Sequence, residues 1–229
     1  ETSNHARRPD RLSSCRNSPA MPRKSFLIAN PKGGSGKSTL ATNLAGYFAQ
    51  SGHSVMLGDT DRQQSARAWL DIRPDTLPAI RGWSVEKDQP LRPPKSVTHI
   101  VLDTPAGLRG KKLEQTLSQV GRVIVPVQPS LFDILATRDF LDAVLAERAV
   151  RKERTFVAVV GMRVDPRTRA AAELTRFLDS CGVPMLGHLR DSQLYVQLAA
   201  NGMTLFDLPP ARFGRDLEQW QPIIDWVED

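Results

Sequence analysis

The sequence predicts an α/β fold: one domain in which a mostly parallel, twisted sheet is covered by helices on both faces. Short apolar runs alternate along the chain with segments whose apolar residues recur about every 3.6 positions, as alternating strands and helices require. The runs are continuously apolar, which is typical of strands buried on both faces. A glycine-rich loop joins the first run directly to the first helical segment.

The apolar periodicity also places the individual elements. The predicted strands are 25–30, 54–59, 98–103, 122–127, 155–161 and 183–189. The predicted helices are 38–50, 111–120, 131–149, 167–180 and 192–201, and a further helix is expected to begin near Gln64. The stretch 72–97 is rich in proline and has no clear period, so it is predicted to be an irregular surface excursion.

The composition fits a domain of ordinary size with a single fold. The chain has 229 residues, of which 40% are hydrophobic, enough for one core. No apolar run approaches the roughly 18 residues that a membrane-spanning helix needs. The net charge is +6, but the first residues carry most of it, so the body is only weakly basic. Cys15 and Cys181 are too few for a disulfide framework or a metal site, which favours a reducing cytoplasm.

Residues 1–23 have the composition of an extension and not of a folded segment. They are rich in Ser, Arg, Asn and Pro and contain no apolar segment. We therefore expect a disordered or artificial tail, without a signal peptide, in front of a folded domain that spans 24–229.

The stretch NPKGGSGKST, residues 30–39, has the pattern of a loop that wraps phosphate groups. It follows a predicted strand and opens a predicted helix, the context that such a loop requires. Glycines let backbone N–H groups turn inward around phosphate oxygens, and the helix amino terminus adds partial positive charge. The residues predicted to bind nucleotide in this loop are Gly33, Gly34, Ser35, Gly36, Lys37, Ser38 and Thr39.

The loop contains two lysines, although phosphate binding needs only one. Lys37 stands where it can neutralise the β- and γ-phosphates of ATP, and the Ser38 hydroxyl can bind Mg²⁺, so ATP and Mg²⁺ are the predicted cofactors. Lys32 lies five residues earlier and has no obvious intramolecular task.

Carboxylates end the next two predicted strands. Asp59 and Asp61 follow the second strand, and Asp103 ends the third. Acids at these positions can ligate Mg²⁺ and position a water molecule for phosphoryl transfer. For Asp59 and Asp61 the alternative is that they cap the helix that begins near Gln64.

The loop departs from the ordinary P-loop pattern in one informative way. Pro31 stands where G-x-x-x-x-G-K-[ST] has its first glycine, while K-G-G-x-G-K-[ST] is intact. This combination resembles the deviant Walker A motif of the ParA/MinD superfamily of P-loop ATPases. The resemblance implies that Lys32 is the signature lysine, which reaches across an ATP-dependent sandwich homodimer to the phosphates bound by the other subunit.

Further motifs resemble the same family. The segment DTDRQ (59–63) is similar to switch I, D-x-D-P-Q, with Arg62 in place of the proline. This implies that Asp61 serves hydrolysis and contributes to the metal site. The segment DTPAG (103–107) is similar to the combined Walker B and switch II motif, which implies that Asp103 holds Mg²⁺ through water. By the same resemblance, Met162 and Pro209 lie near the adenine.

Other features favour one branch of this superfamily. Neither cysteine stands where an iron protein needs its cluster ligands. The carboxyl-terminal segment places Leu217, Trp220, Ile223, Ile224 and Val227 on one stripe beside acidic positions. This favours a core-packing helix over the basic membrane-binding helix of MinD. The segment SARAWLDIRP (65–74) resembles small ParA proteins that lack an amino-terminal DNA-reading domain, so sequence-specific operator binding is not expected.

The resemblance therefore implies a slow ATPase, stimulated by DNA and a partner protein, that positions a cargo over the nucleoid. The ATP dimer would bind DNA without reading its sequence, and a cargo-borne ParB-like or adaptor protein would trigger hydrolysis and release. Arg190, Arg212 and Arg215 lie where relatives have DNA-binding arginines. The expected location is cytoplasmic and nucleoid-associated, without a membrane partner, and the cargo is a plasmid, a chromosome or a protein assembly. A MinD-like membrane-associated regulator and a dethiobiotin-synthetase-like ligase are the alternatives.

Overall fold

The computed structural model describes residues 23–61, 63–84 and 93–229. Within these ranges the strands are β1 (Lys24–Ile28), β2 (Val55–Asp59), β3 (Ile80–Ser84), β4 (His99–Asp103), β5 (Arg122–Val127), β6 (Phe156–Met162) and β7 (Met185–Leu189). They form one sheet in the order β3-β2-β4-β1-β5-β6-β7, and every described pairing is parallel. The predicted fold class is confirmed.

Helices cover both faces of this sheet. The described helices are α1 (Lys37–Gln50), α2 (Ser65–Asp71), α3 (Lys111–Leu117), α4 (Leu131–Ala146), α5 (Arg148–Arg151), α6 (Arg169–Ser180), α7 (Gln193–Ala200) and α8 (Gly214–Glu228). Short 3₁₀ turns span Leu205–Asp207 and Pro210–Arg212. One core packs α1, α2, α7 and α8 against the sheet, and the other packs α3, α4 and α6.

The central strand shows why the predicted strands are continuously apolar. Phe26 and Ile28 of β1 point into the first core, while Leu27 between them points into the second. Because successive side chains of a strand face opposite sides, a strand between two helical layers needs apolar residues at every position.

Two element predictions need correction. The stretch 72–97 contains β3, which pairs with β2 at one edge of the sheet. Its five residues, IRGWS, show no apolar period, because an edge strand has only one strand neighbour and less surface to bury. The predicted helix 131–149 is broken at Glu147, whose backbone is extended between α4 and α5.

The two ends of the described domain are both tied to it. The Arg23 guanidinium donates to the carbonyl oxygens of Val97 (3.2 Å) and Pro94 (3.1 Å), so this residue packs with the domain and not with the predicted tail. Residues 1–22 lie outside the described residues. In α8, Trp220 and Val227 are fully buried, as predicted for a core-packing helix. None of the described helices combines the length and apolar character that a membrane crossing requires.

The strand order places the loop 29–36 in the middle of the sheet, at the end where the strands have their carboxyl termini. Strand β1 lies between β4 and β5. The connection that leaves β1 runs to β2 on one side, whereas the connection that leaves the adjacent β5 runs to β6 on the other side. In such open parallel sheets, ligands bind at the carboxyl ends of the strands where the order reverses. Asp103 is in register with Ile28 on one side and with Asp59 on the other, so both acids lie beside the loop.

Candidate nucleotide and magnesium site

The loop 29–36 is held to the neighbouring strand by a side chain that the sequence did not single out. The Asn30 amide donates to the Pro126 carbonyl (2.8 Å) and to the Thr137 hydroxyl (3.1 Å), and its oxygen accepts from the Lys32 backbone N–H (2.8 Å). Asn30 is buried. It therefore fixes the loop to β5 and α4. The signal in the sequence was a polar residue at the end of the predicted strand 25–30.

Gly36 has a backbone conformation that favours glycine, and it packs closely against a methionine. Its φ of 96° lies in the left-handed region that favours glycine. A Cβ at this position would also lie 2.8 Å from Cε of Met162, which ends β6 and packs against the loop. Met162 thus lies beside the nucleotide loop, and its side chain is buried against it. Pro209 is exposed before the 3₁₀ turn Pro210–Arg212. An adenine contact by either residue stays a prediction.

Lys37 lies inside the loop as expected of a phosphate-binding lysine. Its ammonium donates to the Lys32 carbonyl at 2.7 Å, and the side chain is buried. Burial lowers the pKa of Lys37, while the charges of Asp103 and Asp61 oppose this shift. A cation held in the loop with two carboxylates nearby fits the charge of a nucleotide–magnesium complex.

Ser38 and Asp103 form the centre of the candidate magnesium site. The Ser38 hydroxyl donates to Oδ2 of Asp103 at 2.6 Å, whereas no described residue forms a hydrogen bond with the buried Oδ1 of Asp103. Burial raises the pKa of Asp103 to about 6, and the charges of Asp59 and Asp61 add to the rise. A buried carboxylate oxygen without a partner is costly for a fold unless a ligand completes it.

The donor set fits Mg²⁺ bound together with a nucleotide. Hydroxyl and carboxylate oxygens are its preferred protein ligands. Among the described residues, no group of three or more His, Cys, Asp and Glu side chains converges to hold a metal on protein ligands alone. Mg²⁺ differs from Zn²⁺ in this respect, since it is commonly held by one or two carboxylates plus phosphates and water.

Asp59 and Asp61 have different surroundings. Oδ2 of Asp59 accepts the N–H groups of Ala66 (2.9 Å) and Arg67 (3.2 Å), which are in the first turn of α2. The capping alternative is therefore correct for Asp59. Asp61 is half-buried, and the one hydrogen bond that its carboxylate accepts within the described ranges comes from the Gln63 N–H to Oδ1 (3.1 Å). Arg62 lies outside the described residues.

Lys32 has an intramolecular partner that the sequence did not reveal. Its ammonium lies 3.5 Å from Oδ2 of Asp133, in the first turn of α4. The same carboxylate accepts from the hydroxyl of Ser130, the N-cap of α4. The Lys32 side chain is 36% exposed. The expectation that Lys32 is free of intramolecular contacts is thus wrong, because it forms an ion pair with Asp133.

The three predicted DNA-binding arginines are not equivalent. Arg190 donates through Nε (2.8 Å) and Nη2 (2.9 Å) to the buried carboxylate of Asp216. Arg212 and Arg215 are exposed, at the end of the second 3₁₀ turn and the start of α8. Asp216 adjoins Arg215, so Arg190 and Arg215 lie in one region. The Arg190 side chain, however, is bound to Asp216 and joins the end of β7 to α8.

The parallel sheet with its glycine-rich loop after the central strand, the buried Lys37 and the Ser38–Asp103 pair define a P-loop nucleotide-binding protein. The sequence profile of the CobQ/CobB/MinD/ParA nucleotide binding domain matches residues 26–205. The chain belongs to this family.

Similar proteins include two that are named "Maintenance of carboxysome distribution protein A". The one from Gloeobacter kilaueensis is 30% identical over 192 residues, which are 78% of this chain and 82% of the relative. The one from Halothiobacillus neapolitanus is 25% identical over 189 residues, 80% of this chain and 87% of the relative. A Cyanothece McdA variant in complex with ATP has the same fold, with a TM-score of 0.68 at 15% identity over 91% of this chain and 96% of the other.

Proposed function

We propose that this protein is an ATPase that positions a cargo along DNA. ATP joins two copies through Lys32, the dimer binds DNA without reading its sequence, and a partner protein on the cargo stimulates hydrolysis and so releases the dimer. The presence of a second loop lysine carries this proposal. Lys37 already occupies the inside of the loop, whereas Lys32 is partly exposed and held by a single ion pair.

The described residues can perform the binding and hydrolysis steps that this function needs. The loop N–H groups and Lys37 would bind the phosphates, and Asp61 would orient the attacking water. Ser38 and Asp103 would hold Mg²⁺ through their oxygens. When bound, Mg²⁺ supplies neutralisation of the charge on the β- and γ-phosphates.

A protein assembly is the cargo that we favour. Two relatives that cover about four fifths of this chain are named for carboxysome distribution, which supports an assembly over a plasmid or a chromosome. The buried apolar stripe of α8 offers no surface for a membrane, which counts against the MinD-like alternative. If the protein floats together with anionic liposomes when ATP is present, the MinD-like alternative is preferred instead.

Lys32→Ala is expected to leave nucleotide binding by the monomer largely unchanged and to weaken ATP-dependent dimerisation by roughly 30-fold or more. Loss of one partner of a charge pair that becomes buried in an interface costs about 2–5 kcal/mol. Binding is measured with a fluorescent ATP analogue, and dimerisation by light scattering with Mg²⁺ and a slowly hydrolysed analogue. Lys152→Ala, at an exposed lysine between α5 and β6, is the control. If Lys32→Ala dimerises as well as the wild type, Lys32 does not join the two copies.

Arg215→Glu is expected to weaken binding of the ATP-bound protein to random-sequence DNA and to flatten its salt dependence. Each lost phosphate contact lowers the slope of log K against log salt by about 0.9, and a symmetric dimer loses two contacts. Arg81→Glu is the matched control, because Arg81 is exposed on β3 at the opposite edge of the sheet. Equal losses in both variants would exclude a specific role for Arg215. If the wild type with ATP does not bind DNA at low salt, the DNA step is wrong.

A further inference from the structure

Helix α2 is held by a carboxylate at each of its ends. At its start, the Asp59 side chain accepts two N–H groups of the first turn. Just after its end, the Arg73 guanidinium makes two bonds of 3.0 Å to the carboxylate of Asp207. Only two of the seven residues of α2 are buried, and a helix this short depends on tertiary contacts for its stability. The two carboxylates therefore contribute much of what holds α2 in place.

The Arg73 side chain is enclosed by the elements that it joins. It also donates to the carbonyl oxygens of Gly202 (3.1 Å) and Pro78 (3.2 Å), and its guanidinium lies 5.2 Å from the centre of the Trp69 ring of α2. Only 5% of the side chain is exposed. Gly202 packs on the same backbone, since a Cβ there would lie 2.6 Å from Cα of Arg73. The end of α2 and the segment 202–207 therefore form one packed unit.

The segment 202–207 is bound in turn to α1, the helix that follows the loop 29–36. The Asn43 oxygen accepts a backbone N–H group of this segment (2.9 Å), and the Asn43 amide donates to the Thr39 carbonyl (2.9 Å). Gly46 gives the segment room, because a Cβ there would lie 2.4 Å from the hydroxyl oxygen of Thr204. The end of α2 is thereby joined to the first turn of α1, which carries residues predicted to bind nucleotide.

Asp61 lies in the stretch that connects the sheet to α2. The chain leaves the sheet at Asp59, in register with Asp103, and α2 begins at Ser65. Within this stretch the Asp61 N–H donates to Oδ1 of Asp59 (2.9 Å), while Oδ2 of the same carboxylate holds the first turn of α2. One end of the stretch is fixed by the sheet and the other by α2, so the position of α2 decides where the Asp61 carboxylate lies.

We propose that Arg73 is a positioning residue for ATP hydrolysis: it holds α2 against α1, and in this way it holds Asp61 at the phosphates. The inference rests on the proposed function, because it needs Asp61 to orient the attacking water. The Arg73 guanidinium is buried and bonded to Asp207 and Gly202, so it acts through α2 and not as a phosphate ligand.

Arg73→Lys is expected to lower turnover much more than nucleotide binding. Lysine keeps the charge but cannot make two parallel bonds to one carboxylate, so α2 loses its fixed position. The loop 29–36 and Lys37 lie outside α2 and keep their place. Because a displacement of about 1 Å can cost about 100-fold in rate, kcat should fall roughly tenfold or more, while the Kd for ATP stays within about threefold of the wild type.

The test is a double-mutant cycle of Arg73→Lys and Asp61→Ala in the full chain. Turnover of radiolabelled ATP is measured at saturating ATP and Mg²⁺ with random-sequence DNA present, and binding is measured with a fluorescent ATP analogue. In the Asp61→Ala background, Arg73→Lys should change the residual turnover by less than about twofold, since residues that act as a unit are not additive. A side chain that only supports the fold would lower turnover in both backgrounds.

Thr155→Val is the control for a general loss of stability. The buried Thr155 hydroxyl donates to the carbonyl oxygens of Leu117 and Val120, both at 2.9 Å, at the opposite end of the strands from the loop 29–36. Loss of this donor should lower the free energy of unfolding without moving α2, so kcat should be unchanged.

The outcomes separate this inference from the proposed function. A wild type that does not hydrolyse ATP overturns both. Full turnover in Asp61→Ala overturns the role of Asp61 and this inference with it, but not ATP-dependent dimerisation or DNA binding. If Asp61→Ala is slow and Arg73→Lys turns over like the wild type, this inference alone is wrong. It is also wrong if Arg73→Lys lowers kcat by the same factor in both backgrounds, or if Thr155→Val lowers kcat as much.

Discussion

Asp103→Asn is expected to abolish productive magnesium binding while it makes the magnesium-free, nucleotide-free protein more stable. The carboxylate is buried, and its Oδ1 has no partner among the described residues. The Ser38 hydroxyl and the nearby charge of Lys37 favour its ionised form, but burial outweighs both. A residue that exists for packing lowers stability when it is changed. When a charged residue kept for a ligand is changed to a neutral one, the stability of the ligand-free protein rises, because the buried charge no longer has to be held.

The direction of this effect follows from the pKa. Burial raises the pKa of Asp103 from 3.8 to about 6. Because the pKa of Asp103 is higher in the folded than in the unfolded protein, its protonated form stabilises the fold, fully so below about pH 4. This contribution is lost as the pH rises through 6. At pH 8 the ionised group costs about 3 kcal/mol. Asparagine recovers about 1–2 kcal/mol of this, since its own N–H group there also has no partner.

The functional effect has the opposite sign. Without the Asp103 carboxylate, ATP turnover should fall roughly 100-fold or more, the scale on which loss of one electrostatic contact to the transition state acts. Turnover is measured as a function of Mg²⁺ concentration, and stability by urea unfolding at pH 8 with EDTA. A variant with wild-type turnover at saturating Mg²⁺ would show that Asp103 is not a magnesium ligand.

Asp59→Asn is the matched control, because Asp59 is in register with Asp103 on the adjacent strand. Its carboxylate receives the N–H groups of Ala66 and Arg67. Its other oxygen, Oδ1, accepts the Asp61 N–H (2.9 Å), so the NH2 group of asparagine would replace an accepting oxygen in either orientation. Loss of one such hydrogen bond costs about 1 kcal/mol, so this variant should be less stable than the wild type. Equal destabilisation by both substitutions would mean that Asp103 is structural.

In the Asp103→Asn variant, the pH dependence of the unfolding free energy should show the titration of His99. Burial, aided by the charge of His53, lowers the pKa of His99 to about 4. This group stabilises the fold above pH 6.5, and its contribution is lost as the pH falls through 4. In the wild type, the Asp103 and His99 effects oppose each other over nearly the same interval. Without Asp103, stability should rise from pH 4 to 6.5.

Arg73→Ala is expected to cost about 3–5 kcal/mol of unfolding free energy, the usual effect of removing one partner of a buried ion pair. Its guanidinium makes two bonds of 3.0 Å to the carboxylate of Asp207, and both side chains are almost fully buried. The pair joins the segment after α2 to the 3₁₀ turn Leu205–Asp207.

Arg169→Ala is the control for this loss. Arg169 pairs with Glu173 at 3.1 Å within α6, but its side chain is 90% exposed. Exposed pairs at this spacing contribute about 0.3–0.5 kcal/mol. Both variants are compared by urea unfolding at pH 7.5. If Arg73→Ala unfolds at the same urea concentration as Arg169→Ala, the buried pair does not hold the domain together.

Local periodicity was sufficient for most of the fold. Six strands and the helices around them were predictable because a two-sided parallel sheet requires continuous apolar strands, and each strand carries that requirement in its own residues. Strand β3 was missed because its pairing partner, and not its own composition, makes it a strand. The break at Glu147 was missed because helical periodicity continues into α5.

The sequence by itself determined the nucleotide loop, since its glycines, lysines and hydroxyls act within ten consecutive residues. Only the tertiary structure decided which acid caps a helix and which is left with an unpaired oxygen, because Asp59 and Asp103 both simply end strands in the sequence. It also decided the partners of Lys32 and Arg190, which lie far away in the chain. Charge pairing acts through space, so two arginines that look alike in the sequence, Arg190 and Arg215, become distinct because the fold places the carboxylate of Asp216 against Arg190 and leaves Arg215 exposed.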